Sequence, residues 1–145
     1  MSVKIGIIKI KEEEFSLKDE SITKFDPKKL SIGFNMGFKW DSEKENFFVR
    51  LTVIYKYKTE NENVELVRFT STTGFLIKDL KDMLVVEEDN TNFKLPDNIM
   101  LTCISTAISS SRGMLAYKLA GTILADYYLP LIDPKNFLKQ KNSKS

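Results

Sequence analysis

Two neighbouring segments of this chain alternate apolar and polar residues with almost no error. In residues 30–40 the even positions are Leu30, Ile32, Phe34, Met36, Phe38 and Trp40, separated by Ser31, Gly33, Asn35, Gly37 and Lys39. In residues 47–57 the odd positions are Phe47, Val49, Leu51, Val53, Tyr55 and Tyr57. Arg50, Thr52 and Lys56 lie between them, with Phe48 and Ile54 as exceptions. Side chains point to opposite faces along a strand, so each segment is a strand with one apolar side. A strand of about 11 residues runs ~36 Å, longer than usual. So wide an aromatic face needs a cover. Whatever one copy leaves bare is available to partner or client chains.

Further strands flank this pair. Residues 3–17 read as a first strand, with Ile5 and Ile7 on one face and Ile8 and Ile10 on the other. That phase slip predicts a bulge or sharp twist near Ile7–Ile8. Residues 18–29 form a polar connection closed by the turn signal Asp26-Pro27. Strands over residues 47–59 and 64–78 follow the second strand through short polar loops, which predicts an antiparallel meander. Residues 78–88 read as a short helix or turn-rich stretch, and 87–92 as an acidic loop. Pro96-Asp97 then starts a helix. Ile99, Met100, Cys103, Ile104, Ala107 and Ile108 recur at helical spacing, and Leu115, Ala116, Leu119 and Ala120 continue it. One long helix results, with Gly113 as a weak point and Gly121 as its stop. Residues 123–132 form an extended link broken by Pro130. Asp133-Pro134 opens a last short helix, and residues 139–145 form a polar, disordered tail. The fold class is α+β: a four-stranded antiparallel meander, then a long helix and a short C-terminal helix packed on one face, all in a single domain spanning residues 1–145.

Composition narrows the function. The 145 residues carry a net charge of only +2, and the basic residues are scattered, which argues against nucleic acid. Histidine is absent, so Ser–His and Cys–His nucleophile pairs are impossible. Cys103 is the single cysteine, so no internal disulfide forms and a cysteine zinc site is ruled out. There is no GxGxxG and no phosphate-binding loop. Neither a signal peptide nor a membrane span is visible. The expectation is a cytoplasmic protein with no cofactor, no metal and no direct membrane insertion, and not an enzyme.

The order of elements resembles that of SecB-type export chaperones. Residues 48–53, Phe-Val-Arg-Leu-Thr-Val, resemble that family's third strand, and residues 66–77, ending Gly-Phe-Leu-Ile, its fourth. Leu95-Pro96-Asp97-Asn98-Ile99 resembles the start of its long helix, and Ala120-Gly121-Thr122 the end. Residues 129–137 resemble its Leu-x-Leu-x-Pro-x-x-Phe close. The resemblance implies an ATP-independent holdase for unfolded or preprotein chains, working in protein export. It implies a homo-tetramer built as a dimer of dimers, delivery to the translocase motor SecA, and no catalysis. Some relatives serve as dedicated antitoxin chaperones. The chain departs from the pattern where a fourth-strand glutamate of the motor-docking face is replaced by Arg68, and its tail lacks the motor-binding end.

Phe34, Met36, Phe38 and Trp40 are the first candidates for client contact, since aromatics and methionine adapt to varied partners. The alternative is that the stripe is simply core beneath the helix, which apolar strand faces usually are. Tyr55 and Tyr57 join apolar bodies to polar tips, as a groove rim or as half-buried edge residues. Ile99, Met100 and Ile104 line a groove, an intersubunit seam or the core. Glu12-Glu13-Glu14 is a docking patch or a solvated charge run. Arg112 binds an anion or satisfies backbone carbonyls. Cys103 is a small buried hydrophobe. The rival function is a helix-grip protein holding a lipid-like ligand in one closed cavity.

Overall fold

The structure, a computed structural model, describes residues 4–20, 22–88 and 92–138. The tail at residues 139–145 lies outside the described residues. The four expected strands are present as β1 (Ile5–Leu17), β2 (Leu30–Asp41), β3 (Asn46–Lys58) and β4 (Asn63–Ile77), with a 3-10 turn at Pro27–Lys29. All pair antiparallel, but their order across the sheet is β1-β4-β3-β2. The meander therefore runs over β2, β3 and β4, and β1 lies beside β4 rather than β2. The connection over residues 18–29 is too long for a tight hairpin, so it imposes no adjacency. β4 carries buried Val67, Phe69, Phe75 and Ile77 and takes a strand on both sides, with Phe15 and Leu17 of β1 in register with Phe69 and Val67.

The phase slip in β1 is a bulge, because the register with β4 jumps between Ile7 and Lys9. A second irregularity falls between Glu12 and Glu14, inside an acidic run that carries no apolar phase to reveal it. It splits the three glutamates. Glu12 pairs with Ser71 and meets the Lys118 ammonium at 2.9 Å, whereas Glu14 pairs with Thr70. Hence they do not form one patch. The β2–β3 hairpin closes through Glu45 in the left-handed region, at φ 56°. The Glu45 carbonyl accepts from the Ile77 amide at 2.9 Å and its carboxylate accepts from the Asp79 amide, which ties the hairpin to the end of β4.

After β4 come a short helix α1 (Leu80–Met83), the two-residue strands β5 (Val85–Val86) and β6 (Phe93–Lys94), and α2 (Asp97–Leu119). The β5–β6 hairpin escaped the sequence reading because two residues are too few to alternate. α2 is continuous through Gly113, which lies on the exposed side and costs only its propensity, about 1 kcal/mol. The helix stops at Gly121, whose φ of 82° suits glycine. Residues 123–126 turn, an extended stretch follows, and residues 135–138 make a final helical turn after Asp133, whose carboxylate accepts from the Lys135 amide at 3.0 Å.

The buried face of α2 (Ile99, Met100, Cys103, Ile104, Ala107, Ile108, Leu115) meets β3 and β4 over Phe47, Val49, Leu51, Val53, Phe69 and Phe75. This packed cluster occupies the space that a helix-grip ligand would need. One polar contact sits inside it: the Ser71 and Ser111 hydroxyls lie 2.6 Å apart, both residues buried. Replacing one serine by alanine leaves the other hydroxyl buried without its partner. Ser111→Ala should therefore cost about 1–3 kcal/mol, and adding Ser71→Ala should recover much of that loss. Urea denaturation of both single variants and the double variant measures this; simple additivity of the two losses would refute the pairing.

Candidate functional site

Five of the nine candidate side chains lie in the core. Tyr55, Ile99 and Ile104 are at most 1% exposed, and Met100 and Tyr57 only slightly more. The tyrosines are roofed by segments without periodicity. The Tyr55 hydroxyl donates to the Tyr127 carbonyl in the link after α2, and burial pushes its pKa up to about 12. The Tyr57 hydroxyl accepts from the Asp26 amide at 2.9 Å, and its ring stacks on Phe25 at 5.4 Å. Ile99, Met100 and Ile104 are on the sheet-facing side of α2, so they are core in this subunit. Cys103 lies among them, and burial pushes its thiol up to about 12, which leaves it inert at neutral pH.

The other four remain half-buried on β2: Phe34, Met36, Phe38 and Trp40. Trp40 packs on Phe93 at 4.8 Å and Phe38 on the same ring at 5.3 Å, so the β5–β6 hairpin caps one end of the stripe. Phe34 packs on Phe137 at 5.6 Å, so the final helical turn caps the other. Met36 lies between the two caps. The sequence marks Phe137 only as the last residue of the Leu-x-Leu-x-Pro-x-x-Phe close and gives Phe93 no signal at all; only the fold brings the two rings to β2.

β2 is also an edge of the sheet, and among the described residues no other strand pairs with its outer side. Edge strands are normally guarded by charges, prolines or bulges. Between its ends β2 carries a single charge, Lys39, and its pairing with β3 shows no bulge. The site is thus an unguarded backbone edge beside an adaptable apolar stripe. Close by, the link after α2 displays Leu131 at 93% and Tyr128 at 57% exposure. Arg112 holds this link. Its guanidinium donates from Nε to the Leu129 carbonyl at 2.9 Å and from Nη2 to the Pro130 carbonyl at 2.8 Å, so it satisfies backbone rather than an anion. Among the described residues no cluster of three metal-ligating side chains exists.

No family model and no curated protein sequence matches the chain. Among solved structures, it is similar to a SecB-like chaperone of Mycobacterium tuberculosis, solved in complex with a ChAD peptide from the HigA1 antitoxin. The TM-score is 0.58 at 14% identity, over 88% of this chain and 90% of that chain. The fold is SecB-like. In this SecB-like fold Arg112 ties the link to α2 at the Leu129 and Pro130 carbonyls. Arg112→Met keeps the apolar stem and removes both donors, so it should cost about 2 kcal/mol. Hydrogen exchange at residues 124–133 should speed up while β3 and β4 stay protected; unchanged exchange in the link would show that Arg112 does not hold it.

Proposed function

We propose that this protein is an ATP-independent holdase that binds extended, apolar-rich stretches of unfolded chains along β2. The observation that carries the reading is the unguarded β2 edge lying beside Phe34, Met36, Phe38 and Trp40. A client strand added to that edge gains main-chain hydrogen bonds and sets alternate side chains over the stripe. Each buried apolar side chain contributes about 1.5–3 kcal/mol, offset in part by ordering the client, so single subsites are weak and release is fast. Affinity then comes from several subsites acting together. The similar mycobacterial chaperone was solved with an antitoxin peptide, so one dedicated client is the narrower form of the same reading.

Several weak subsites call for several copies, and a homo-tetramer, a dimer of dimers, fits the surface. Ile7, Ile8 and Ile10 on β1 are 53%, 48% and 49% exposed. The outward side of α2 carries Thr102, Ser105, Ser109 and Gly113, small residues that allow close helix approach. We place the protein in the cytoplasm: its lone cysteine suits a reducing compartment, and no described helix is long and apolar enough to cross a membrane. We read no enzyme activity in it. Export is the wider setting, but docking to SecA lacks support from the residues, because Arg68 pairs with Glu65 at 2.8 Å on a sheet face that is not acidic.

Suppression of aggregation of an unfolded reporter tests the holdase reading. The parent should protect at stoichiometric amounts without nucleotide. Met36→Lys keeps side-chain length while placing a charge in the stripe, and should lose about half of the protection or more with its fold retained by circular dichroism. Full protection by a folded Met36→Lys, or none by the parent, refutes it. Native mass spectrometry addresses assembly: the parent should be a tetramer and Ile8→Lys/Ile10→Lys should dissociate it, whereas a monomeric parent ends that part of the reading.

A further inference from the structure

We propose that the outer face of the sheet, opposite α2, docks an extended acidic polypeptide segment that carries an apolar residue between its carboxylates. Two adjacent rungs of the sheet build this face. One runs Lys9–Gly74–Phe48–Lys39 across β1, β4, β3 and β2, and the next runs Lys11–Thr72–Arg50–Gly37. They enclose a trough of about 610 Å³ whose lining includes Lys9, Lys39, Arg50, Phe48, Thr72 and Glu13. Its floor is open because two positions are glycine. A Cβ on Gly74 would meet the Phe48 ring at 2.9 Å, so the ring lies down on that glycine, and nothing fills the space above Gly37. Phe48, an exception to the strand alternation, is thus the aromatic centre of the trough, on a face that also carries Ile54 and the exposed Leu76.

The charge around it is mainly positive. Among the described residues the ion pairs are Lys11–Glu13, Arg68–Glu65, Lys81–Glu43 and Lys118–Glu12, and none takes up Lys9, Lys39 or Arg50. All three are exposed. Lys9, Lys39 and Arg50, none of them in those ion pairs, outnumber the one lining carboxylate, Glu13, which faces Lys11 at 4.0 Å; around a half-buried aromatic ring they complement an anionic chain with one apolar side chain. Spacing narrows the pattern. Lys9 and Lys39 stand three strands apart, ~14 Å at ~4.8 Å per strand, which an extended peptide spans in about four residues. The fit is Glu-x-Phe-x-Glu, with the phenylalanine over Phe48. A polyphosphate backbone fits less well, since Glu13 and Glu14 border the cations and the whole chain carries only +2.

Fluorescence anisotropy with the full chain and a labelled Glu-Ser-Phe-Ser-Glu repeat peptide tests this. Binding should be salt-sensitive. Lys39→Glu/Arg50→Glu should weaken it about tenfold or more, and Glu13→Lys should strengthen it. Met36→Lys, on the opposite face, should leave it unchanged, which separates this site from the holdase surface. Equal binding of the Lys-Ser-Phe-Ser-Lys peptide, tighter binding of an oligothymidine, or loss with Met36→Lys but not with Lys39→Glu/Arg50→Glu would each overturn the proposal. Because Glu13→Lys reads a gain, a misfolded double variant does not leave the question open.

Discussion

One helix about 10 Å across cannot roof a four-stranded sheet ~19 Å wide. That mismatch sets the burial of every strand. α2 lies over the two central strands, where Phe47, Val49, Leu51 and Val53 of β3 and Phe69 of β4 are sealed completely. The outer strands receive what is left. β2 is half-covered by pieces borrowed from elsewhere, namely Phe93 at one end and Phe137 at the other. β1 receives the last turns of α2, where Lys118 lies 5.3 Å from the Phe15 ring centre, while Ile7 and Ile10 stay about half exposed.

The two bare edges differ in chemistry, and the difference bears on use. β1 is bulged twice and charged along its second half, features that discourage indiscriminate strand addition, while its first half is apolar. Such an edge suits one fixed partner rather than many. β2 has neither bulge nor charge until Lys39, so nothing in the strand itself guards its outer hydrogen-bonding groups against a further extended backbone. Selectivity falls to the stripe beside it, where Met36 and the aromatics tolerate many shapes. A holdase needs that combination of a permissive backbone edge and forgiving side chains.

Local features were legible in the sequence and long-range cover was not. Alternation placed β2 and β3 to within a residue at each end, because each has one apolar face along its whole length, sealed on β3 and half-covered on β2. The slip from Ile7 to Ile8 showed the bulge, and Pro96 and Gly121 bracketed α2, because backbone chemistry is written at those positions. The side of the sheet that β1 joins depends on a polar connection with no periodicity, so the meander extended one strand too far. Tyr55 and Tyr57 pattern like any strand residue. Only the fold shows that residues 25–26 and 127 close over them. The apolar stripe was visible as a stripe, yet its partial exposure depends on Phe93 and Phe137, which lie 53 and 97 residues beyond Trp40.

β2 serves both faces at once, and this makes its register the most consequential feature of the fold. Its even residues form the apolar stripe on the helix side, and Gly37 and Lys39 form one wall of the outer trough. A slip of a single residue would turn Lys39 into the core and Phe38 into water. The hairpin to β3 prevents this. The Asp41 carboxylate accepts from the Lys44 amide at 3.3 Å, and Glu45 takes the left-handed conformation that closes the turn. Glu45 then reaches the ends of β4 and α1 through its carbonyl and carboxylate. The turn is thereby anchored to the strand that the helix packs on. Two surfaces on opposite sides of the sheet are held in phase by one loop, so any change that loosens Glu45 disturbs both together, whereas a change within either surface leaves the other intact.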